Sequence, residues 1–289
     1  MRWALMLLTV SLTACKDGNI TEVQAGLFDV VARHSDGHLS EWHRDDAWKS
    51  DRTPAERAEI RAMRRPPSGE VSAYSIGDGV DCAVVDGKAS CWGYGADAVN
   101  LSGVGGLTAV ECNLGYCCFW KADESLICAG DAYLDSWQFP DATNSVALKQ
   151  DEVMRLGSDG VLQCEANSGW VDLPCGTAEW EGVPYVKLSG KGLTCLLLED
   201  GSALCWWDRD EPHDYPGPYE DISVGDTHFC GLFADQHVEC EGFDERSDVT
   251  PPDDVKFLQV SAGWGNSCGT TTDNRAVCWG KGVPEVLLE

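Results

Sequence analysis

Cysteine is the residue type with the most chemistry to offer in this chain: there are fifteen, and ten of them fall in pairs nine or ten residues apart. The pairs are Cys82 with Cys91, Cys118 with Cys128, Cys195 with Cys205, Cys230 with Cys240, and Cys268 with Cys278. Thiols at such a separation can join covalently where the chain between them folds back on itself. Cys15, Cys112, Cys117, Cys164 and Cys175 remain. His34 and His38, facing each other across a turn with His43 further along, could bind zinc, but no third ligand at suitable spacing is evident. Residues 208–221, DRDEPHDYPGPYED, offer carboxylates to calcium without the fixed ligand spacing of an EF-hand loop. The histidines are read as an exposed polar pair and the acidic stretch as a plain loop, so neither a metal nor a cofactor is expected. No G-x-S-x-G elbow, phosphate-binding glycine loop or H-E-x-x-H occurs, and the scattered carboxylates single out no catalytic pair.

The elements that position these cysteines emerge when the chain is compared with itself. A glycine stands five residues before the first cysteine of each of four pairs, as in Gly77-Cys82, Gly190-Cys195, Gly225-Cys230 and Gly263-Cys268. The same frame continues through Asn113-Cys118-Cys128 and Lys149-Met154-Cys164, and begins with Gly26, Val31 and Glu41. Seven copies result, with first anchors at 31, 82, 118, 154, 195, 230 and 268. Between ten-apart anchors lie Ser35-Asp36-Gly37, Ser158-Asp159-Gly160, Glu199-Asp200-Gly201 or Thr272-Asp273-Asn274, and between Cys82 and Cys91 the loop contracts to Asp86-Gly87. These are hairpin turns whose glycine or asparagine takes the left-handed conformation. Each copy is thus a tight β-hairpin with its anchors opposite one another, which predicts five cross-strand disulfides. Each is worth roughly 2.5 to 3 kcal/mol in the chain-entropy account. Cys164, facing Met154, is assigned to Cys175, and Cys112 to Cys117.

The pattern V-x-A-G, cysteine, D-G, then C-W-G, as in Cys91-Trp92-Gly93 and Cys278-Trp279-Gly280, resembles the repeat of the regulator of chromosome condensation family, in its cysteine-bearing exported bacterial form. The resemblance covers about residues 20–289 and implies an all-β fold, a seven-bladed β-propeller of antiparallel four-stranded blades. It also implies recognition of another macromolecule through loops on one face. Residues 283–289, VPEVLLE, resemble the strand that precedes each glycine-bearing strand and are expected to pair with the first blade near Ile20 and Gly26, closing the ring. Between the first two copies an insertion of about residues 44–69 carries Thr53-Pro54-Ala55-Glu56, a capping box, and Pro66-Pro67, so residues 54–65 read as a short helix.

The N-terminus sets the compartment. Residues 1–14 combine Arg2 with an apolar run too short to span a membrane, which marks a signal peptide. Leu12-Thr13-Ala14-Cys15 resembles the bacterial lipobox, in which Cys15 is lipidated, leaving 15–19 as an anchored N-terminus and 20–289 as the propeller. Lys16 in place of aspartate points toward the outer membrane of the bacterial cell envelope, on its periplasmic or surface face. Loss of Arg2 moves the net charge from −27 to −28, a surface that repels phosphate backbones and disfavours nucleic acid. The membrane is expected only through the lipid.

Function is left to what the repeat does not explain. Trp42, Trp92, Trp206 and Trp279 follow the second anchor and are assigned to packing, whereas Trp120, Trp137, Trp170, Trp180, Trp207 and Trp264, with Tyr215 and Tyr219, are the candidates for a binding face. The reading is a non-enzymatic, monomeric envelope lipoprotein, a scaffold that binds another envelope or extracellular protein. The alternatives are a glycan-binding propeller and, behind it, a polysaccharide- or peptide-cleaving enzyme.

Overall fold

Apolar residues that recur every second position, flanked by glycine-bearing turns, give the described residues short antiparallel strands and very little helix. The computed structural model describes residues 19–26, 29–43, 65–130, 138–139, 146–149, 152–156, 162–166, 185–207, 212–242, 249–280 and 287–288. The expected signal peptide (residues 1–14), Cys15 and residues 54–64 of the expected helix lie outside them.

Among the described residues the strands form seven separate antiparallel sheets. The first holds β1 (Ile20–Ala25), β2 (Asp29–His34) and β3 (Leu39–His43); the second β4 (Val71–Ile76), β5 (Asp81–Val85) and β6 (Lys88–Trp92). The third holds β7 (Leu107–Asn113), β8 (Tyr116–Lys121), β9 (Leu126–Gly130) and β10 (Gln138–Phe139); the fourth β11 (Val146–Leu148), β12 (Glu152–Leu156) and β13 (Leu162–Ala166). The fifth holds β14 (Tyr185–Gly190), β15 (Leu193–Leu198), β16 (Ala203–Trp207) and β17 (His213–Tyr215). The sixth holds β18 (Tyr219–Val224), β19 (His228–Phe233) and β20 (Val238–Gly242); the seventh β21 (Phe257–Ala262), β22 (Asn266–Thr271), β23 (Ala276–Gly280) and β24 (Leu287–Leu288).

All seven anchor pairs face each other across the second and third strands: Val31 and Glu41, Cys82 and Cys91, Cys118 and Cys128, Met154 and Cys164, Cys195 and Cys205, Cys230 and Cys240, Cys268 and Cys278. Disulfides join the five cysteine pairs and also Cys112 with Cys117. Cys164 is disulfide-bonded too; Cys175 lies outside the described residues. The turns hold the expected left-handed residues, Gly37, Gly201, the pair Asp86 and Gly87, and Asn274, and put Glu124 and Gln236 in the same slot.

The first strand of each sheet contacts the first strand of the next, from β1 through β4, β7, β11, β14, β18 and β21, and β21 returns to β1. Apolar clusters fill the spaces between neighbouring sheets, each joining the second and third strands of one sheet to the first strand of the next, as Cys230, Leu232 and Val238 do with Phe257 and Val260. Trp92, Trp206 and Trp279 are buried in these clusters.

Three expectations change. Four strands per sheet are seen in the third, fifth and seventh sheets only, among the described residues. After β6 the glycine-rich run 93–106 folds into turns and a short 3-10 helix (Ala96–Ala98), because five glycines give a strand no side chains to pack. After β20, Pro251 and Pro252 lack the N–H groups a ladder needs. Leu287–Leu288 do not close the ring against the first sheet; they pair with Ala276 and Val277 as the edge of the seventh. The acidic stretch is not a plain loop either: it contributes β17 and the start of β18, with Gly217–Pro218 in the cis form between them.

Candidate functional site: the inner strands and the loop end

Side-chain alternation along the innermost strands sets apart two positions, the third and the fifth, which are half-buried in β1, β14 and β18, while the fifth is buried in β4 and β21. They carry Glu22 and Gln24, Glu111, Lys187 and Ser189, Asp221 and Ser223, Gln259 and Ser261. Their polar atoms lace one sheet to the next. Gln259 Nε2 donates to the Val23 carbonyl at 3.0 Å, and its Oε1 accepts the Val23 N–H at 3.2 Å. The Ala25 N–H donates to Ser261 Oγ at 3.0 Å, that of Ala262 to Ser223 Oγ at 2.9 Å, and that of Cys112 to Ser75 Oγ at 2.9 Å. Lys187 Nζ reaches Asp221 Oδ1 at 2.5 Å and the Ile222 carbonyl at 2.8 Å.

Beyond the fifth position the repeat glycines let inner strands meet. A Cβ on Gly225 would lie 2.1 Å from the Gly263 carbonyl oxygen, and one on Gly263 2.8 Å from that of Gly26. Lysine takes this place in two copies. Lys149 does so as the sequence frame implies, but in the fifth copy Gly190 pairs with Thr194 and Ser189 with Cys195. The turn there is one residue shorter, so Lys191, not Gly190, stands in the glycine position. Its Nζ donates to the Ile76 carbonyl at 3.2 Å, from the fifth sheet to the second. Lys191 and Lys187 act on Glu111, whose carboxyl burial nevertheless pushes above its ordinary range. Of these residues only the repeat glycines and Lys149 belong to the frame read from sequence; the signal for the others is the register two and four residues before the glycine position.

Strand direction divides the loops between two ends. The connections from first to second strands, and the segments leaving each third strand, emerge at one end; the hairpin turns emerge at the other. At the first end stand three exposed apolar side chains, Tyr94 after β6, Leu114 between β7 and β8, and Trp264 between β21 and β22, at 53%, 42% and 51% exposure.

The aromatic candidates divide accordingly. Trp264 presents its ring to solvent, but Trp120 is a core residue at 5% exposure and Tyr219 at 7%, so neither offers a face to a ligand. Both side chains fill the layer between sheets, where β8 and β18 turn them inward. Tyr215 is half-buried, edge-on to Phe229 at 4.7 Å. Trp137, Trp170 and Trp180 lie outside the described residues, as does the Trp207 side chain.

The histidines are a stacked pair rather than an exposed one. His34 is buried, its ring parallel to that of His38 at 4.0 Å. Its Nε2 shares a hydrogen bond with Ser40 Oγ at 2.9 Å, while His38 Nδ1 pairs with Asp36. Burial and then the neighbouring His38 lower the His34 pKa. Side-chain oxygens of Asp29, Glu41 and Asp81 lie within 4.8 Å of one another between the first two sheets. That is an all-oxygen set of the type hard cations take, and Asp81 also accepts the Gly77 N–H at 3.1 Å.

Comparison with known proteins agrees with this construction. Residues 257–283 match the Regulator of chromosome condensation (RCC1) repeat. The serine/threonine-protein kinase-like protein CCR2 of Arabidopsis thaliana is 25% identical over 134 residues, 37% of this chain but only 17% of that protein. The CRINKLY WD40 ectodomain of the Arabidopsis thaliana receptor kinase ACR4 superposes with a TM-score of 0.69 at 20% identity, covering 94% of this chain and 98% of that one. Yeast RCC1 (Prp20), in its complex with Kap60, superposes with a TM-score of 0.50 at 14% identity over 90% of this chain and 70% of the other. Residues 257–283, within the last of the seven copies, thus match a regulator of chromosome condensation repeat, and the all-β fold is of the propeller type seen in RCC1 and the CRINKLY ectodomain.

Proposed function

We propose that the chain is a non-enzymatic, lipid-anchored bacterial envelope protein whose seven sheets are the blades of one closed propeller, and that it recognises another protein at the loop end. The observation that carries this reading is the placement of Tyr94, Leu114 and Trp264 at the same end, since exposed tryptophan and tyrosine side chains are frequent anchors of protein interfaces. That yeast RCC1 is seen bound to Kap60 supports a binding role for the fold. The anchor would be Cys15, with Lys16 directing the protein to the outer membrane, and the chain would act as a monomer.

The test is affinity capture from envelope extracts with wild type and the double variant Trp264→Ala, Leu114→Ala. Proteins held by wild type and lost from the variant support the reading. Identical capture by both overturns it, and a glycan array that is positive only with Trp264 intact would replace it with sugar stacking. Mass spectrometry of the mature N-terminus tests the anchor separately; an unmodified start beyond Cys15 removes it.

A further inference from the structure

Five of the six disulfides seen among the described residues occupy the anchor register; Cys112–Cys117 does not, since it joins the first and second strands of the third sheet. It lies against the bridge of the neighbouring sheet. The sulfur atoms of Cys82, Cys112 and Cys117 all lie within 4.8 Å of one another, and all three residues are fully buried. They sit in one apolar cluster with Val80, Val84, Val110 and Phe119, while Cys91, bonded to Cys82, is partly exposed at the edge of the cluster.

We propose that these four cysteines form a thiol–disulfide exchange site that converts two bridges within sheets into one bridge between them. A small external monothiol supplies the entering sulfur. Its thiolate attacks the sulfur of Cys91, the partly exposed partner of the bridge; the Cys82–Cys91 bond breaks and Cys82 leaves as thiolate. Cys82 then attacks one sulfur of Cys112–Cys117, forming a bond from the second sheet to the third and releasing the other cysteine as thiolate, which takes a proton from solvent. Two disulfides and one thiol enter; one mixed disulfide, one inter-sheet disulfide and one thiol leave. No electrons are lost or gained. The new bridge closes a loop of 30 or 35 residues, counted from 82 to 112 or 117, and ties together sheets that the anchor bridges leave independent. Apolar burial disfavours the Cys82 thiolate, so the step is slow at neutral pH and quickens about tenfold per pH unit below the thiol pKa.

The native protein is treated with reduced glutathione, quenched with acid, alkylated and mapped by non-reducing proteolysis and mass spectrometry. Expected are glutathione on Cys91, Cys82 linked to Cys112 or Cys117, and the alkyl group on the third-sheet cysteine left over. Alkyl label on Cys82 with Cys112–Cys117 intact overturns the proposal. Cys91→Ser needs no added thiol, because Cys82 starts free: label appearing on Cys112 or Cys117 supports the exchange, and label confined to Cys82 overturns it. Cys240→Ser is the control, freeing Cys230, which faces the Ser267 hydroxyl at 3.3 Å. Its label should stay on Cys230, and scrambling there would show general shuffling and overturn the site.

Discussion

His228 shows how a single buried group makes stability depend on pH. It is fully buried at the start of β19, with Nε2 sharing a hydrogen bond with Ser267 Oγ at 2.7 Å, and burial lowers its pKa to about 4. The unfolded chain binds a proton at ~6.5, so the folded state is the poorer proton binder. Its contribution is complete above pH ~6.5 and falls away as the pH drops toward 4, by about 3 kcal/mol in all. Denaturant titrations across that range should show this loss in wild type and a flatter profile in His228→Asn; parallel profiles would mean that His228 is not the group responsible. The turn residues give a prediction of opposite sign. Glu124 (φ 65°) and Gln236 (φ 71°) hold the left-handed slot that Gly37 and Gly201 fill elsewhere. A side chain there costs about 1–2 kcal/mol, partly offset by the greater unfolded freedom of glycine. Glu124→Gly and Gln236→Gly should each raise stability by about 0.5 to 1 kcal/mol, read as a shift in denaturation midpoint at constant m-value. The slot was legible from its position midway between anchors, whereas the polar groups of the inner strands were not. Lys191 adjoins the glycine that the frame aligned, and only the shortened turn of the fifth copy moves it into that place.

At the scale of the element, the hairpin is the unit that sequence describes best. Its anchors, turn residues and register all follow from local spacing, and even the copies without cysteine, Val31 opposite Glu41 and Met154 opposite Cys164, keep the pairing. The outer strands are less legible because no repeated residue marks them. β17 arises from a proline-rich acidic stretch through Tyr215 edge-on to Phe229, a contact between residues of different sheets. The anchor disulfides test how far the hairpin stands alone. In the double variant Cys195→Ala, Cys205→Ala, opening a ten-residue loop should cost about 3 kcal/mol on the chain-entropy account. Because the partners also meet through four other ladder pairs, the hairpin itself should persist. Chemical denaturation measures the loss, and hydrogen exchange in β15 and β16 measures the persistence. An unchanged midpoint would show that the ladder and core already hold the turn closed.

For the molecule as a whole, the question is where a ring of sheets opens. Consecutive sheets are joined by the chain, whereas the seventh and the first meet, among the described residues, through noncovalent contacts. There Gln259 gives and takes hydrogen bonds with Val23, Ser261 accepts from Ala25, and the Ile20 N–H donates to the Asn274 carbonyl at 3.0 Å. The equivalent link between the first and second sheets is Gln24, which donates to the Tyr74 carbonyl at 2.9 Å and accepts the Ile76 N–H at 3.2 Å. Removing either glutamine strands buried backbone groups and costs on the order of 1–3 kcal/mol. The consequences differ because the loops closed by the chain differ. Separation at Gln24 leaves the two sheets tethered through residues 44–70, whereas separation at Gln259 frees two ends whose only other connection is the remaining circuit. Gln259→Ala should therefore speed hydrogen exchange in β1 and β21 well beyond the other inner strands, and Gln24→Ala should spread a smaller effect over β1 and β4. Equal acceleration of all seven inner strands in both variants would mean instead that the ring unfolds as one cooperative unit, with no strand pair acting as its seam.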